Sequence, residues 1–421
     1  MMTEKGITRR SFLVGSGLGA TATGFSMTAA SYAQAAGANE KIGIGVIGCG
    51  GRSGAHINTI KKLIKDGEKL EIVAVCDVYR PRANQKADGT SARVYMDHRE
   101  LLADPAVDIV VIATPDHHHA YQAVDAMEAG KDVYCEKPIS HWRQFEITKK
   151  MAHVAKDKKR IFQAGTQGLG DPVWQQAEQL VREGAIGQPV HAQCGYFRVG
   201  DWGERGMKID DPNAKPGNDL LWEKFLGDSP KRPFDVSRFF RWRMYEDYAG
   251  GPSTDLFPHT LTPIVKVLGV KFPSVVAATG GMFRYTEREV PDTFNMLIDY
   301  PEKLTIAVLG TQANDYPIPD VFRGWDAAMS FEGQNIVIQP IAEAKKPKRT
   351  IPVNRQTTRE GGRETLENHW RDFLNCVRTR ETPQANIELA YHVQTALQMG
   401  MLSLRQGKAV RFDAKDEKII V

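Results

Sequence analysis

The sequence predicts an α/β chain in two parts. First comes a doubly wound parallel sheet, then an α+β domain built on an open-faced, mainly antiparallel sheet. Three observations predict this. Residues 41–165 alternate short apolar runs with helical patterns. A glycine-dense turn, Gly48-Cys49-Gly50-Gly51, sits between the first such run and the first helix. Long alternating strands joined by tight turns fill the stretch from about 274 to 339.

In the first part, strands are expected at 43–47, 71–76, 108–113, 132–135 and 161–164, with helices at 54–66, 97–103, 117–129 and 142–156. Val107-Asp108-Ile109-Val110-Val111-Ile112-Ala113 is apolar enough for a strand covered on both faces. After residue 166 a helix is expected at 173–183 and a strand near 189–198, followed by an irregular, aromatic-rich span to about 250. Strands are expected at 274–285, 293–300, 303–311 and 326–339, with turns at Tyr300-Pro301-Glu302-Lys303 and Glu332-Gly333-Gln334. Two late helices, 364–378 and 386–405, pack this part or return to the first. Three parts are therefore expected: an amino-terminal segment at 1–35, a doubly wound domain at 41–165 and an α+β domain at 166–415.

The glycine turn carries the first chemistry. Gly48 and Gly50 let the chain bend sharply and approach an anion, and the helix behind them presents its free amides and dipole to it. Ser53 stands at the third glycine position of the dinucleotide fingerprint, with Gly51 and Arg52 completing the turn. Asp77 ends the second strand, where a carboxylate accepts the hydroxyls of an adenosine ribose. Strand, turn, helix, strand and acid in this order point to a Rossmann site for a nicotinamide dinucleotide. Asp77 favours NAD; Arg80 and Arg82 keep NADP open.

The amino terminus reads as a targeting segment. Thr8-Arg9-Arg10-Ser11-Phe12-Leu13 resembles a twin-arginine export signal, and Ala33-Gln34-Ala35 fits a small-residue cleavage site. The expected location is the periplasm, reached through the twin-arginine translocation machinery. Such a protein would leave the cytoplasm with its cofactor already bound. About 385 residues remain after cleavage, enough for two cores. Of the formal charge of +4, the signal takes Lys5, Arg9 and Arg10 against Glu4. The nearly neutral remainder gives no electrostatic case for nucleic acid or an anionic membrane. Lys345-Lys346-Pro347-Lys348-Arg349 reads as a solvated loop. The five cysteines, at 49, 76, 135, 194 and 376, form no CxxC pair, which argues against a zinc site or a disulfide framework. Cys49, Cys76 and Cys135 are expected to line the cofactor crevice as small apolar residues.

Three further motifs hold candidate catalytic groups. Lys137 follows the strand Asp132-Val133-Tyr134-Cys135 in a Glu136-Lys137-Pro138 sequence, so it projects where the nicotinamide would lie and can hydrogen-bond a reacting hydroxyl. Thr114-Pro115-Asp116-His117-His118-His119 ends the preceding strand, with Asp116 expected as the helix N-cap. Adjacent helical histidines point in different directions and lack a partner set, so no metal is expected. In Gly250-Gly251-Pro252-Ser253-Thr254-Asp255-Leu256-Phe257-Pro258-His259, a helix capped by Thr254 would put Asp255 and His259 one turn apart, carboxylate beside proton acceptor. Trp242, Arg243 and Tyr245, within an aromatic-rich stretch, pair ring faces with cations in the way a sugar requires; dense core packing is the equal alternative.

These motifs together, the GCGG turn, ATPDHHHA, AGKDVYCEKP, Gly165-Thr166-Gln167 and GGPSTDLFPH, resemble the Gfo/Idh/MocA oxidoreductases over nearly all of residues 41–415. The resemblance is nearest to the exported, twin-arginine-bearing members. It implies hydride transfer between a tightly bound nicotinamide and a sugar, glycoside or cyclitol carbon, in a homodimer or homotetramer. Lys137, Asp255 and His259 match the family's catalytic positions. The implied cofactor contacts comprise Gly48, Gly50, Gly51, Arg52, Ser53 and Asp77 from the first half of the domain. Thr114, Pro115, Asp116, His119, Glu136, Lys137 and Gln167 complete them. Lys137, Trp242, Arg243, Tyr245 and His259 are the implied substrate contacts. Phe257 and Thr262 depart from the pattern, so the substrate is not transferable from any one member. A redox-neutral, NAD-dependent glycosidase and a non-catalytic dinucleotide-binding protein are the alternatives.

Overall fold

Strand β1 (Ile42–Ile47), β2 (Leu70–Cys76), β3 (Arg93–Tyr95), β4 (Ile109–Ile112), β5 (Asp132–Glu136) and β6 (Phe162–Gly165) pair in parallel in the order β3-β2-β1-β4-β5-β6. The computed structural model describes residues 41–200, 207–353 and 363–421. The export signal expected at 1–35 lies outside the described residues. β4, apolar throughout, and β5, apolar between Asp132 and Glu136, are buried at every position, as strands covered by helices on both faces are. The strand order reverses between β1 and β4. That switch point opens a crevice at the carboxyl ends of the strands.

The second sheet has eleven strands. β7 (Pro189–Val199), β8 (Val275–Gly281), β9 (Thr293–Tyr300) and β10 (Leu304–Thr311) form its centre, with β11 (Ala313–Asn314) beside β7. β12 (Val321–Gly324), β13 (Ala327–Glu332), β14 (Asn335–Pro340) and β15 (Arg349–Pro352) extend one side. β16 (Val410–Asp413) and β17 (Lys418–Ile420) extend the other. Pairing is antiparallel apart from β7 with β10. Along β10, buried and half-buried residues alternate at each step, so one face is packed and the other left open. The packed face carries the helices Phe257–Leu268 and Ile387–Gln406.

The late helix Arg363–Thr379 returns to the first sheet. Trp370, Phe373 and Leu374 are fully buried with Ile44, Val46, Ile109 and Val111. A helix from the far end of the chain thus closes one face of the first sheet.

The structure differs from the sequence expectation at short elements. β3 and the helix Arg80–Ala87 were not anticipated: β3 has three residues, and the helix buries only Ala83, so neither shows a period. β12, β15 and β16, of four residues, and β17, of three, are also short and depend on sheet pairing. The run at 326–339 is two strands folded at the expected glycine turn, with Gly333 at φ 56°. The strand expected to reach 285 ends at Gly281.

Residues 207–250 form a cover at the carboxyl end of β2. Trp222, Phe225, Leu226, Phe239, Phe240 and Tyr248 pack into one cluster with Tyr79. The cover is stitched to the end of β2 by backbone bonds Leu221 N–H to Val78 O and Arg80 N–H to Asp219 O, each 2.9 Å.

Candidate active site

At the switch point lies a cavity of about 720 Å³, walled by the ends of β1, β2, β4 and β5, by the cover, and by the segment Pro252–His259. Gly48 has φ 88°, and a Cβ there would sit 2.7 Å from the backbone of Ala113 and Thr114, so only glycine lets the first turn pass β4 this closely. The helix Gly51–Lys65 starts with no side-chain cap and no acid in its first turn, so its leading amides stay available to an anion. Asp77 is fixed from both sides. One oxygen accepts from Cys49 N–H at 2.7 Å, the other from Tyr79 N–H at 2.8 Å, and the carboxylate still lines the cavity. These residues fit a dinucleotide, with the pyrophosphate at the glycine turn and the adenosine ribose at Asp77.

The far wall is a buried polar network. Glu136 Oε1 accepts from Arg52 Nε at 2.8 Å and from Gln167 Nε2 at 2.7 Å, and His56 Nε2 lies 2.8 Å away. Trp370 donates its indole N–H to His56 Nδ1 at 3.1 Å, so the imidazole proton is on Nε2 and points at Glu136. Burial alone would raise the Glu136 pKa; Arg52 and His56 outweigh it and hold the carboxyl well below its ordinary value. Glu136 is therefore an anchored anion that fixes Arg52 beside the glycine turn.

Next to it, Lys137 Nζ donates to the main-chain oxygen of Asp255 at 2.6 Å and to its Oδ1 at 3.0 Å. Arg243 donates to the same Oδ1, and Arg198 Nη2 lies 3.7 Å from Oδ2. Burial would favour a neutral Asp255, but these three cations reverse that and keep it ionised. His259 also faces the cavity, 8% exposed, with Nδ1 buried and without a partner. Burial, then the charge of Lys137, pushes its pKa down to about 3, so the imidazole is neutral and able to accept a proton.

Several sequence expectations are corrected. Thr254 does not cap a helix. The short helix Pro252–Asp255 starts after Gly251 at φ 65°, and Leu256 breaks it from Phe257–Leu268. Asp255 is accordingly bound to Lys137, Arg243 and Arg198, and not to His259. Asp116 is no N-cap either. Pro115 holds that position, and Asp116 turns inward, accepting from Thr254 Oγ1 at 3.1 Å. Ser53, which donates to Gly50 O at 2.7 Å, and Asp116 lie behind the cavity wall. Tyr245 is not brought to the site: its hydroxyl donates to Ser237 at 2.8 Å, and Arg238 covers its ring. Most of the aromatic stretch is packing, with Trp242 and Arg243 reaching the cavity, the guanidinium 4.4 Å from the indole ring centre. Of the cysteines, Cys76 lines the cavity, while Cys49 and Cys135 are buried behind it.

The three histidines are fasteners. His117 and His118 each place Nε2 2.7 Å from Phe225 O, holding the cover. His119 lies between Thr114 O at 2.7 Å and Pro138 O at 2.5 Å; burial lowers its pKa, and the single N–H of the neutral ring serves one of these carbonyls. Among the described residues no His, Cys, Asp or Glu cluster could hold a metal. Gly48, Gly50, Gly51, Arg52 and Asp77 do line the cavity, as do Thr114, Pro115, His119, Glu136, Lys137 and Gln167. Sequence reasoning missed Arg198 at the end of β7, and also Lys224 and Asp228 of the cover. None lies in a motif, and only the tertiary fold brings them to the crevice.

Residues 42–166 match the family described as "Oxidoreductase family, NAD-binding Rossmann fold" (GFO_IDH_MocA). The first sheet and its helices are thus similar to the NAD-binding domain of that family. Inositol 2-dehydrogenase 1 of Saccharopolyspora erythraea is 32% identical over 151 residues, covering 36% of this chain and 44% of that one. Inositol 2-dehydrogenase of Rhodococcus jostii is 34% identical over 154 residues, covering 36% and 40%. The chain thus aligns with less than half the length of these relatives. Among solved structures, levoglucosan dehydrogenase in complex with NADH and L-sorbose superposes with a TM-score of 0.68 at 19% identity, over 88% of this chain and 99% of that one. Aldose-aldose oxidoreductase from Caulobacter crescentus, complexed with glycerol, gives 0.63 at 18% identity, over 89% and 100%. These likenesses show that the fold, second sheet included, is one these solved structures share.

Proposed function

We propose that this protein is an NAD-dependent oxidoreductase that moves hydride between a carbinol carbon of a sugar or cyclitol and a retained nicotinamide cofactor. The observation that carries this reading is the convergence of Lys137 and His259 on the cavity that also holds the glycine turn and Asp77. The cofactor would supply the hydride acceptor; the chain supplies the proton chemistry. Lys137, steered by Asp255, hydrogen-bonds the reacting oxygen and stabilises its developing negative charge. His259, neutral and with a buried nitrogen unsatisfied, accepts the hydroxyl proton. Trp242 and Arg243 offer a ring edge and a donor to the remaining hydroxyls. The inositol and levoglucosan dehydrogenases similar to this chain act on molecules of this kind. Purified protein is expected to show growth of the reduced-nicotinamide absorbance with one or more members of a polyol, cyclitol and glycoside panel. A panel without any response would remove this function.

NAD is the expected cofactor. Arg82 Nε is 2.6 Å from Asp210 and its guanidinium lies over Phe240, while Arg80 Nε is 2.8 Å from Asp219. Both arginines considered for a 2′-phosphate are therefore held by carboxylates, and Asp77 adds like-charge repulsion. NAD⁺ should bind about 100-fold more tightly than NADP⁺, and Asp77→Ala should shrink that ratio to within about tenfold. Equal affinities in the unaltered protein would contradict the assignment.

The twin-arginine motif supports periplasmic residence, and the stitched cover supports a cofactor that travels with the protein. Dinucleotide should co-purify through gel filtration; its complete loss there would count against retention.

A further inference from the structure

His259 accepts a proton but, with its pKa pushed down to about 3, is a poor place for that proton to stay. A group that can hold it lies one layer behind the cavity wall. Asp116, 1% exposed, follows Thr114 and Pro115, which line the cavity at the carboxyl end of β4. Its Oδ2 accepts from the hydroxyl of Thr254 at 3.1 Å, and that hydroxyl oxygen in turn accepts from Gly250 N–H at 3.0 Å. Its Oδ1 is fully enclosed with no partner. A buried carboxylate with an unsatisfied oxygen is costly, and protonation relieves that cost.

We propose that Asp116 stores a proton in step with the charge of the nicotinamide ring, ionised when the ring is oxidised and cationic, protonated when the ring is reduced and neutral. This rests on the site holding a nicotinamide dinucleotide as proposed above. The groups facing Asp116 come from every neighbouring element. Lys137 and Cys135 belong to the β5 end, Arg243 to the cover, and Thr254 and Asp255 to the short helix, while His117, His118 and His119 follow it along its own helix and bond elsewhere. Burial is the largest influence; Arg243 and Lys137 oppose it, Asp255 reinforces it, and the carboxyl is raised to about 7. One added or removed positive charge at the adjacent crevice is then enough to switch it near neutral pH. In substrate oxidation the hydroxyl O–H bond breaks and its proton ends on the Asp116 carboxylate. The C–H electron pair leaves as hydride for the nicotinamide, and the carbonyl forms. Proton and hydride then both remain in the subunit until a second substrate collects them, which suits a retained cofactor.

The test uses NAD-loaded protein, reduced in place at pH 6 with an amine–borane. Nicotinamide absorbance reports the reduction, and infrared difference spectroscopy reports carboxyl groups. Because the reductant is not a sugar, a failed sugar screen does not affect this readout. A new carbonyl band of a protonated carboxylic acid should appear on reduction and vanish in Asp116→Asn. Thr254→Val, which removes the bond favouring the ionised form, should move the band's pH midpoint upward. Full reduction without the band, or the same band in Asp116→Asn, would overturn the proposal.

Discussion

Replacing Lys137 by Met is expected to lower kcat by about 10³-fold or more on the responding polyol, with little change in melting temperature and with dinucleotide still bound. The reason lies in its partners. Lys137 is the cation that touches both the backbone oxygen and the carboxylate of Asp255, at 11% exposure, with the cavity on its other side. Losing it does not orphan Asp255, which keeps Arg243 and Arg198. The folded state therefore avoids the penalty of an unpaired buried charge. What is lost is charge at the oxygen where negative charge develops, so kcat should fall far more than KM rises. Steady-state kinetics alongside thermal unfolding measures both. A variant with near-normal kcat would remove Lys137 from the chemistry.

His259→Ala should cost about 10² to 10⁴-fold in kcat/KM, the usual range for a positioned general base. The pH behaviour sharpens this. A base works in its unprotonated form, so its contribution is present above its pKa and is lost as pH falls through it. With that pKa near 3, His259 stays neutral throughout the mild acid and neutral range, and any fall in rate between pH 8 and 6 belongs to another group. Asp116, raised to about 7, is the group placed to produce such a limb. The pH profile of Asp116→Asn should lose that limb while keeping dependence on His259. An acid limb near 6.5 that persists in Asp116→Asn and disappears in His259→Ala would reverse the two roles.

Much of the chemistry was legible from local pattern because its geometry is local. A glycine turn between an apolar strand and a helix has few ways to fold, and a lysine directly after a parallel strand must project at the strand's carboxyl end. Gly48, Asp77 and Lys137 line the cavity for that reason. The relation between Asp255 and His259 was misjudged because it depends on a backbone break at Leu256 that helical spacing does not reveal. Asp116 looked like a cap since Asp is common there, but Pro115 takes the cap position and a threonine 138 residues away holds the carboxylate. Trp370 could be read only as part of an amphipathic helix. Its place against His56, steadying Glu136 from 314 positions downstream, is a product of tertiary packing. Tyr245 illustrates the opposite error: an aromatic beside arginines served the cover's own core rather than the cavity. Composition alone does not separate a ring that packs from a ring that binds.

The most direct measurement follows the hydride itself. A responding polyol or cyclitol carrying deuterium on its carbinol carbons is mixed with the NAD-loaded protein, and the bound nucleotide is released and analysed. One deuterium at a single face of nicotinamide C4, absent in the Lys137→Met and His259→Ala proteins, is the predicted result. Substrate consumed with no label reaching the nicotinamide would contradict hydride transfer at this site.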